Sequence, residues 1–268
     1  MITSVDNPRV QEVARLRRAR ERRATGLFVA EGRREVERAL AAGLDVRETF
    51  VAPELLADWA HASAKVTEVS ARVLAKMAYR AEPEGVLAVV AAPEHALPSN
   101  PTLILVAVGI EKPGNLGAMA RSADAAGADA LLVAEANTDP WNPNAIRAST
   151  GAVFTLPMVE ATLDDVAALP LQKVAAVVDA SLDDVRRLPL RKIAAVVGAP
   201  TRYTDADLTQ PAALIVGAED TGLDARWKEA ADEQVALPVN GATADSLNAS
   251  TAAAVLLYET LRQRDAAH

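Results

Sequence analysis

The sequence predicts an α/β protein with two domains, and three observations carry this prediction. Strand-like and helix-like segments alternate along the chain, a pattern typical of α/β layers. Beyond residue 100 the strand-like segments are nearly continuous apolar runs, at 103–108, 130–133 and 212–216, which favours a parallel sheet covered on both faces. Residues 93–101 contain three prolines and little periodicity, and therefore mark a boundary between domains 1–95 and 101–268.

The first domain is predicted to be a small α/β unit. Its first helix begins at Asn7, an N-cap followed by a proline at the first helical position, and it ends at Gly26. Val10 and Val13 belong to the buried stripe of this helix. The elements predicted next are a strand at 27–30, a helix at 33–42, a strand at 46–51, helices at 53–60 and 71–79, and a strand at 85–91.

The second domain continues the alternation. Besides the three apolar strands, the sequence predicts strands at 153–156 and 233–237. The helices predicted here span 116–126, 144–150 and 246–264. The glycine at position 127 ends the first of these helices.

A tandem duplication lies inside the second domain. Residues 163–181 match residues 182–200 at 13 of 19 positions. Each copy predicts a short helix, a proline turn and a strand, and two copies are too few for a solenoid. We interpret the duplication as a longer crossover that can add a strand, and assign it no function.

Composition excludes several kinds of chemistry. The chain of 268 residues is half hydrophobic and has no cysteine, which excludes disulfides, thiol nucleophiles and cysteine-ligated zinc. Its three histidines are His61, His95 and His268; one is terminal and one lies in the predicted linker, which argues against histidine catalysis and a metal site. Without a signal peptide or an apolar run of about 18 residues, we expect a cytoplasmic protein that uses neither membrane nor metal.

Charge is distributed unevenly along the chain. The net charge is −8, yet residues 9–23 carry +5 and the remainder −13. A solvated helix face is the ordinary alternative, but every basic residue in this stretch is arginine, whose planar guanidinium suits phosphate. The residues predicted to bind RNA here are Arg9, Arg15, Arg17, Arg18, Arg22 and Arg23.

Three short segments are predicted to form one ligand site. Residues 115–121, 217–223 and 237–250 each connect a predicted strand to a predicted helix, where ligands bind in α/β sheets. Their polar side chains include Arg121, Glu219 and Asn248. Singly, each segment is an ordinary turn or cap; Asp245 or Ser246 is the predicted N-cap of the last helix, which would place Asn248 inside it.

Together the three segments resemble the motifs of the SpoU/TrmH family of RNA ribose 2′-O-methyltransferases, in the SPOUT class. The first motif matches Asn115, Gly117 and Arg121, and the second matches Gly217, Glu219, Gly222 and Leu223. The third matches residues 237–238, Gly241 and 246–250. The segment 146–157, with Arg147, resembles an arginine-containing segment of the family, and residues 28–32 resemble a ribosomal-protein-like RNA-binding domain.

The resemblance implies a parallel-sheet SPOUT domain with a C-terminal trefoil knot, S-adenosylmethionine as cofactor, and a homodimer with composite active sites. It implies 2′-O-methylation of ribose in RNA, with 23S rRNA favoured by the first domain. The alternatives are a tRNA ribose methyltransferase and a noncatalytic RNA-binding or ribosome-assembly factor on the same fold. Arg147 joins the residues expected to bind RNA.

Residue roles follow from the same resemblance. Arg121 would act on the ribose, supported by Asn115, Glu219 and Asn248. The expected cofactor-binding residues are Gly198, Gly217, Ala218, Leu237, Ser246, Leu247 and Asn248. Family members commonly have asparagine where Ala218 stands. The duplication leaves Asp179 as an alternative to Gly198, and residues 203–205 favour Gly198 because they continue the family pattern.

Overall fold

The computed structural model describes residues 1–59, 65–135, 138–159 and 190–267, and the chain forms two compact units. Unit 1 comprises Met1–Pro93 and Asp139–Thr155, and unit 2 comprises Glu94–Thr138 and Leu156–His268. The sequence predicts that 101–268 form one domain, whereas the compact units assign 139–155 to the first. The two repeat copies lie largely outside the described residues, as does Asp179.

The described helices and strands alternate along much of the chain. The helices are α1 Pro8–Arg15, α2 Ala19–Thr25, α3 Arg33–Ala41, α4 Ala71–Met77, α5 Pro113–Ala125, α6 Pro143–Ser149, α7 Ala225–Ala230 and α8 Ala249–Ala266. The strands are β1 Leu27–Glu31, β2 Val46–Val51, β3 Val66–Glu68, β4 Val86–Ala91, β5 Leu103–Val108, β6 Ala130–Ala134, β7 Met158–Val159, β8 Arg191–Ala195, β9 Thr201–Arg202, β10 Ala212–Val216 and β11 Glu233–Ala236.

Unit 1 is built on a four-stranded sheet in the order β1-β4-β2-β3. The apolar stripe of α1 packs with α4 and the sheet in one core. Three predictions here are wrong. The first helix is broken between α1 and α2, residues 53–59 form turns rather than a helix, and the predicted strand 153–156 is a 3₁₀ turn at Ala152–Phe154.

The segment Asp139–Thr155 is held in unit 1 by a buried ion pair and by stacked rings. Arg22 forms a two-pronged pair with Asp139, at 3.1 Å from Nε and 2.5 Å from a terminal nitrogen, and both side chains are buried. The Phe28 ring stacks on Trp141 and Phe154 with centroid distances of 4.7 and 5.9 Å. These contacts join parts of the chain more than a hundred residues apart.

We expect Arg22→Met to lower the free energy of unfolding of unit 1 by about 3–5 kcal/mol, because it strands the Asp139 carboxylate in a buried site. The same guanidinium donates to the carbonyls of Leu16 and Arg17 at 2.8 and 2.9 Å, so the turn between α1 and α2 also loses its donor. Urea unfolding measures the change. Arg23→Met is the matched control, expected within about 0.5 kcal/mol because Arg23 is exposed; equal effects of the two substitutions would contradict the prediction.

Unit 2 contains a seven-stranded sheet in the order β7-β6-β5-β10-β8-β11-β9. Every described pairing in it is parallel, so the predicted parallel sheet is confirmed. The strand β8, from the second repeat copy, pairs between β10 and β11. The trefoil knot stays a prediction, because the connection through residues 160–189 lies outside the described part of the chain.

The order of strands reverses beside β5. From β5 the chain proceeds outward through β6 and β7 on one side, while β10 and β8 lie on the other. Such a switch point opens a crevice at the carboxyl ends of the strands, where α/β proteins bind ligands. The crevice between β5 and β10 is therefore the expected place for a site.

The ends of unit 2 are tied down by charged groups. Asp129 accepts hydrogen bonds from the backbone N–H groups of Thr102 and Leu103 at 2.6 and 2.8 Å. Burial alone would raise the pKa of Asp129, but these bonds hold it below its ordinary value. Arg264 of α8 donates to three backbone carbonyls, including that of Thr102, which anchors α8 across the sheet.

Among the described helices, none combines the length and apolar character required to cross a membrane.

Candidate active site

A cavity of about 350 Å³ lies at the carboxyl ends of β8, β10 and β11. Its walls come from residues 195–197 after β8, residues 216–223 after β10, and residues 237, 239 and 245–247 between β11 and α8. Lys228, Ala249 and Ala252 complete the lining. The volume falls within the range of small-molecule sites in proteins.

The cavity contains most of the residues predicted to bind a cofactor. Those in its lining are Gly217, Ala218, Leu237, Ser246 and Leu247. Gly198 is not among the described residues of the lining, although its neighbour Val197 is one of them; its backbone has a left-handed φ of 77°. The role of Gly198 stays a prediction, as do the roles of the others.

Sequence reasoning missed several residues of the lining. Val197 is 75% exposed, and Lys228 and Val239 were also overlooked. Val197 ends the apolar run at 193–197, and this is the one signal that could have indicated an apolar wall. Nothing in the sequence around Lys228 distinguishes it from an ordinary helix lysine.

A chain of side-chain hydrogen bonds joins the three predicted motifs. The Nδ2 amide of Asn248 donates to Oδ1 of Asn115 at 3.3 Å, and Nδ2 of Asn115 donates to the Glu219 carboxylate. Asn115 lies in the first turn of α5, after β5, and Glu219 follows β10. The bonds therefore span the switch point, and they bring together three of the four predicted catalytic residues.

Asn248 is the N-cap of α8, and the predicted assignment of that cap to Asp245 or Ser246 is wrong. Its Oδ1 accepts from the backbone N–H and the hydroxyl of Ser250 at 3.0 and 2.6 Å, which satisfies a free donor of the first turn. With Oδ1 occupied by the cap, Nδ2 is left to reach Asn115. The Asn248 side chain thus caps the first turn of α8 and also holds Asn115 by a hydrogen bond.

Arg121 is not brought to the other three predicted residues within one chain. It is exposed on α5, and within the described residues its guanidinium makes no hydrogen bond or ion pair. Six positions on a helix correspond to about 240° of rotation, so Arg121 and Asn115 lie on different faces of α5. Within the described part of one chain, Glu219 accepts from Asn115, and no hydrogen bond or ion pair joins it to Arg121.

The loop after β10 is closed too tightly for a side chain at Gly217. A Cβ there would lie 2.5 Å from the carbonyl carbon of Gly222 and 2.7 Å from the Leu223 nitrogen. The N–H of Gly222 donates to the carbonyl of Ala218 at 3.0 Å, which completes the turn. This closed loop keeps Glu219 in the lining of the cavity.

The arginines predicted to bind RNA have different environments in unit 1. The structure corrects the prediction for Arg22, which is buried and paired with Asp139. Arg9 is half-buried and paired with Glu12 and Glu48. Burial alone would raise the pKa of Glu48, but hydrogen bonds from Thr67, Lys65 and Arg9 bring it below its ordinary value.

The remaining arginines present charge to solvent. Arg15, Arg17, Arg18, Arg23 and Arg147 are exposed. Three of them also form hydrogen bonds within unit 1: Arg15 to the carbonyl of Gln11 at 3.3 Å, Arg17 to the carbonyl of Lys76 at 2.8 Å and Arg147 to Asn144 at 3.0 Å. The RNA-binding role of this exposed set stays a prediction.

Comparison with known proteins agrees with the geometry of the site. Residues 102–258 match the family described as SpoU rRNA Methylase, and residues 7–88 match the MRM3-like substrate binding domain. The chain belongs to the SpoU rRNA methylase family. A relative of this SpoU methylase is the 23S rRNA (guanosine(2553)-2′-O)-methyltransferase RlmP of Bacillus subtilis, 31% identical over 96% of this chain and 97% of the relative.

Solved structures resemble the SpoU methylase over nearly its whole length. One, named as an RNA 2′-O ribose methyltransferase, is 42% identical with a TM-score of 0.79 over 98% of each chain. Another, an AdoMet-bound rRNA methyltransferase from Sinorhizobium meliloti, is 26% identical with a TM-score of 0.81 over 97% of each. The α/β fold predicted from sequence is thereby confirmed as that of the SpoU methylases.

Proposed function

We propose that this protein methylates the 2′-hydroxyl of a ribose in ribosomal RNA, with S-adenosylmethionine as methyl donor. The observation that carries the proposal is the hydrogen-bonded chain Asn248–Asn115–Glu219 at the switch point, beside a cavity of cofactor size. The name of the B. subtilis relative favours 23S rRNA as the substrate. The cytoplasm, where ribosomes work, is the proposed compartment.

The cavity fits the chemistry of S-adenosylmethionine. Apolar walls from Val197, Leu237 and Leu247 suit a flat adenine ring, and Gly217 and Ala218 allow backbone to approach it closely. Glu219, Asp220 and Asp245 place carboxylates around the same space, which suits a ligand with two cationic groups. When bound, the cofactor supplies a methyl group made electrophilic by its sulfonium.

The chain Asn248–Asn115–Glu219 fixes the direction of an amide at the rim. Because Glu219 can only accept, Asn115 must present Nδ2 to it and Oδ1 to Asn248. Each side chain is thereby locked by its neighbour, as positioning groups in active sites are. We assign Asn115, Glu219 and Asn248 to positioning the ribose relative to the cofactor cavity.

Arg121 is assigned to the reacting oxygen. A ribose hydroxyl is a weak nucleophile, and negative charge develops on it as it attacks while its proton passes to water. Arginine stays protonated at any working pH, so Arg121 stabilises this charge and the adjacent phosphate rather than removing the proton. A free, exposed guanidinium is what such a role requires.

We further propose that the protein is a homodimer in which Arg121 of one copy serves the cavity of the other. Two observations support this arrangement. Arg121 lies on a different face of α5 from Asn115 and lacks a partner within the described residues. A symmetric dimer would place each guanidinium at a site that its own chain does not complete.

RNA binding is assigned to the exposed arginines of unit 1. We expect the triple substitution of Arg15, Arg18 and Arg23 by glutamine to weaken RNA binding and to make its dependence on salt shallower, by about 0.7–0.9 in the log–log slope for each phosphate that is no longer neutralised. Filter binding between about 50 and 200 mM salt measures both. Substituting Arg47, Arg72 and Arg202 by glutamine removes the same charge from other exposed positions, and an equal effect would show that only net charge matters.

The proposed function is tested by mapping methyl groups on RNA. The purified protein is incubated with tritiated S-adenosylmethionine and unmodified 23S rRNA transcript, and protected positions are located by alkaline hydrolysis. We expect one ribose to become resistant, with no label on tRNA offered in parallel. Absence of transfer together with no thermal stabilisation by the cofactor would favour the noncatalytic factor instead. Label on tRNA alone would identify tRNA, rather than rRNA, as the substrate.

A further inference from the structure

Lys228 is a lysine of α7 and belongs to the lining of the cavity. It is half-buried, and within the described part of the chain its hydrogen bonds are made by its backbone alone. Its N–H donates to the carbonyl of Asp224, and its carbonyl accepts from Nε2 of Gln234 at 3.1 Å. The ammonium is therefore available to a ligand.

The helix that carries Lys228 is firmly placed. Asp224 caps it by accepting from the backbone N–H of Trp227 at 3.1 Å, and the Trp227 ring is fully buried in the core. The lysine consequently extends from an anchored backbone.

The charges of the lining are complementary to one class of ligand. Among the described residues of the lining, Lys228 is the cation and Glu219, Asp220 and Asp245 are the anions. S-adenosylmethionine carries a carboxylate together with an ammonium and a sulfonium. The acidic residues of the lining can pair with the ammonium and the sulfonium of this ligand. Its carboxylate then requires a positively charged partner in the same cavity.

We propose that Lys228 binds the carboxylate of the methionine portion of S-adenosylmethionine. The inference rests on the proposed function, since it names a contact within the same cofactor site. It predicts that recognition of the methionine portion depends on α7, an element outside the three sequence motifs. It also predicts that the product S-adenosylhomocysteine, which keeps the carboxylate, uses the same contact.

The test compares ligands with and without the carboxylate by titration calorimetry. S-adenosylmethionine, S-adenosylhomocysteine and decarboxylated S-adenosylmethionine are titrated into the wild type, Lys228→Met, Lys228→Arg and Arg226→Met. We expect Lys228→Met to bind the first two about tenfold more weakly, about 1.4 kcal/mol, and to bind the decarboxylated analogue as well as the wild type does. Lys228→Arg retains the preference for a carboxylate.

Arg226→Met is the matched control, because it removes one positive charge from the same helix at an exposed residue that pairs with Asp224 and Glu135 and is outside the cavity lining. It should leave all three affinities unchanged. If Lys228→Met weakened the analogue equally, or if Arg226→Met weakened the carboxylate ligands equally, the contact would be refuted. Failure of the wild type to bind any of the three would instead refute the proposed cofactor.

Discussion

Replacing Arg121 by alanine is expected to lower the rate of methyl transfer about 100- to 1,000-fold while the Kd for S-adenosylmethionine changes less than about twofold. The loss is that of one preorganised donor at a developing oxyanion, which is worth this factor in other active sites. Cofactor affinity is spared because Arg121 lies on the exposed side of α5, outside the described lining of the cavity. Single-turnover transfer of tritiated methyl and calorimetry measure the two quantities separately.

Two further variants sharpen the Arg121 prediction. Arg121→Lys keeps the charge but loses the planar fork that can meet an oxygen and a phosphate together, so we expect an intermediate rate. Arg202→Ala removes an exposed arginine elsewhere in unit 2 and should leave the rate unchanged. A parallel loss of rate and cofactor affinity in Arg121→Ala would assign Arg121 to the cavity rather than to the ribose.

The sheet of unit 2 could be predicted because its signal, a continuous apolar run, lies within each strand and does not depend on residues far away in the sequence. Strands such as β5 and β10 are buried on every residue, and only a sheet covered on both faces requires such runs. The meeting of the three motifs follows from the same reasoning, since parallel strands end at one edge. That Asn248 caps α8 and bonds to Asn115 could not be predicted, because this depends on where the helix begins to within two residues.

The errors in unit 1 arise from interactions between residues distant in sequence. Residues 153–156 have strand-like composition, yet Phe154 turns inward to stack near Phe28, and tertiary packing overrides a weak propensity. Similarly, residues 53–59 form turns beside Gly85, where a Cβ would lie 2.6 Å from that of Leu56. The sequence alone predicts an RNA-binding role for Arg22 because its partner Asp139 lies 117 residues away.

Two inactive variants are expected to restore activity to each other if Arg121 acts across a dimer. Arg121→Ala lacks the guanidinium but keeps an intact cavity, while Glu219→Ala keeps Arg121 but loses the carboxylate that holds Asn115. In a mixed dimer with sites shared between chains, one site receives both defects and the other receives neither. Heterodimers isolated with two affinity tags should therefore show about half the wild-type rate per dimer.

The alternative arrangement gives the opposite result. If Arg121 served the cavity of its own chain, each site in the mixed dimer would contain one defect, and the rate would stay at the level of the single variants. Heterodimers assembled from two differently tagged Arg121→Ala chains are the matched control and should be inactive in either case. Recovery of only single-tag chains, with a monomeric mass in solution, would contradict the dimer itself. Restoration thus requires both the dimer and the shared site, because neither alone can place an intact Arg121 beside an intact Glu219.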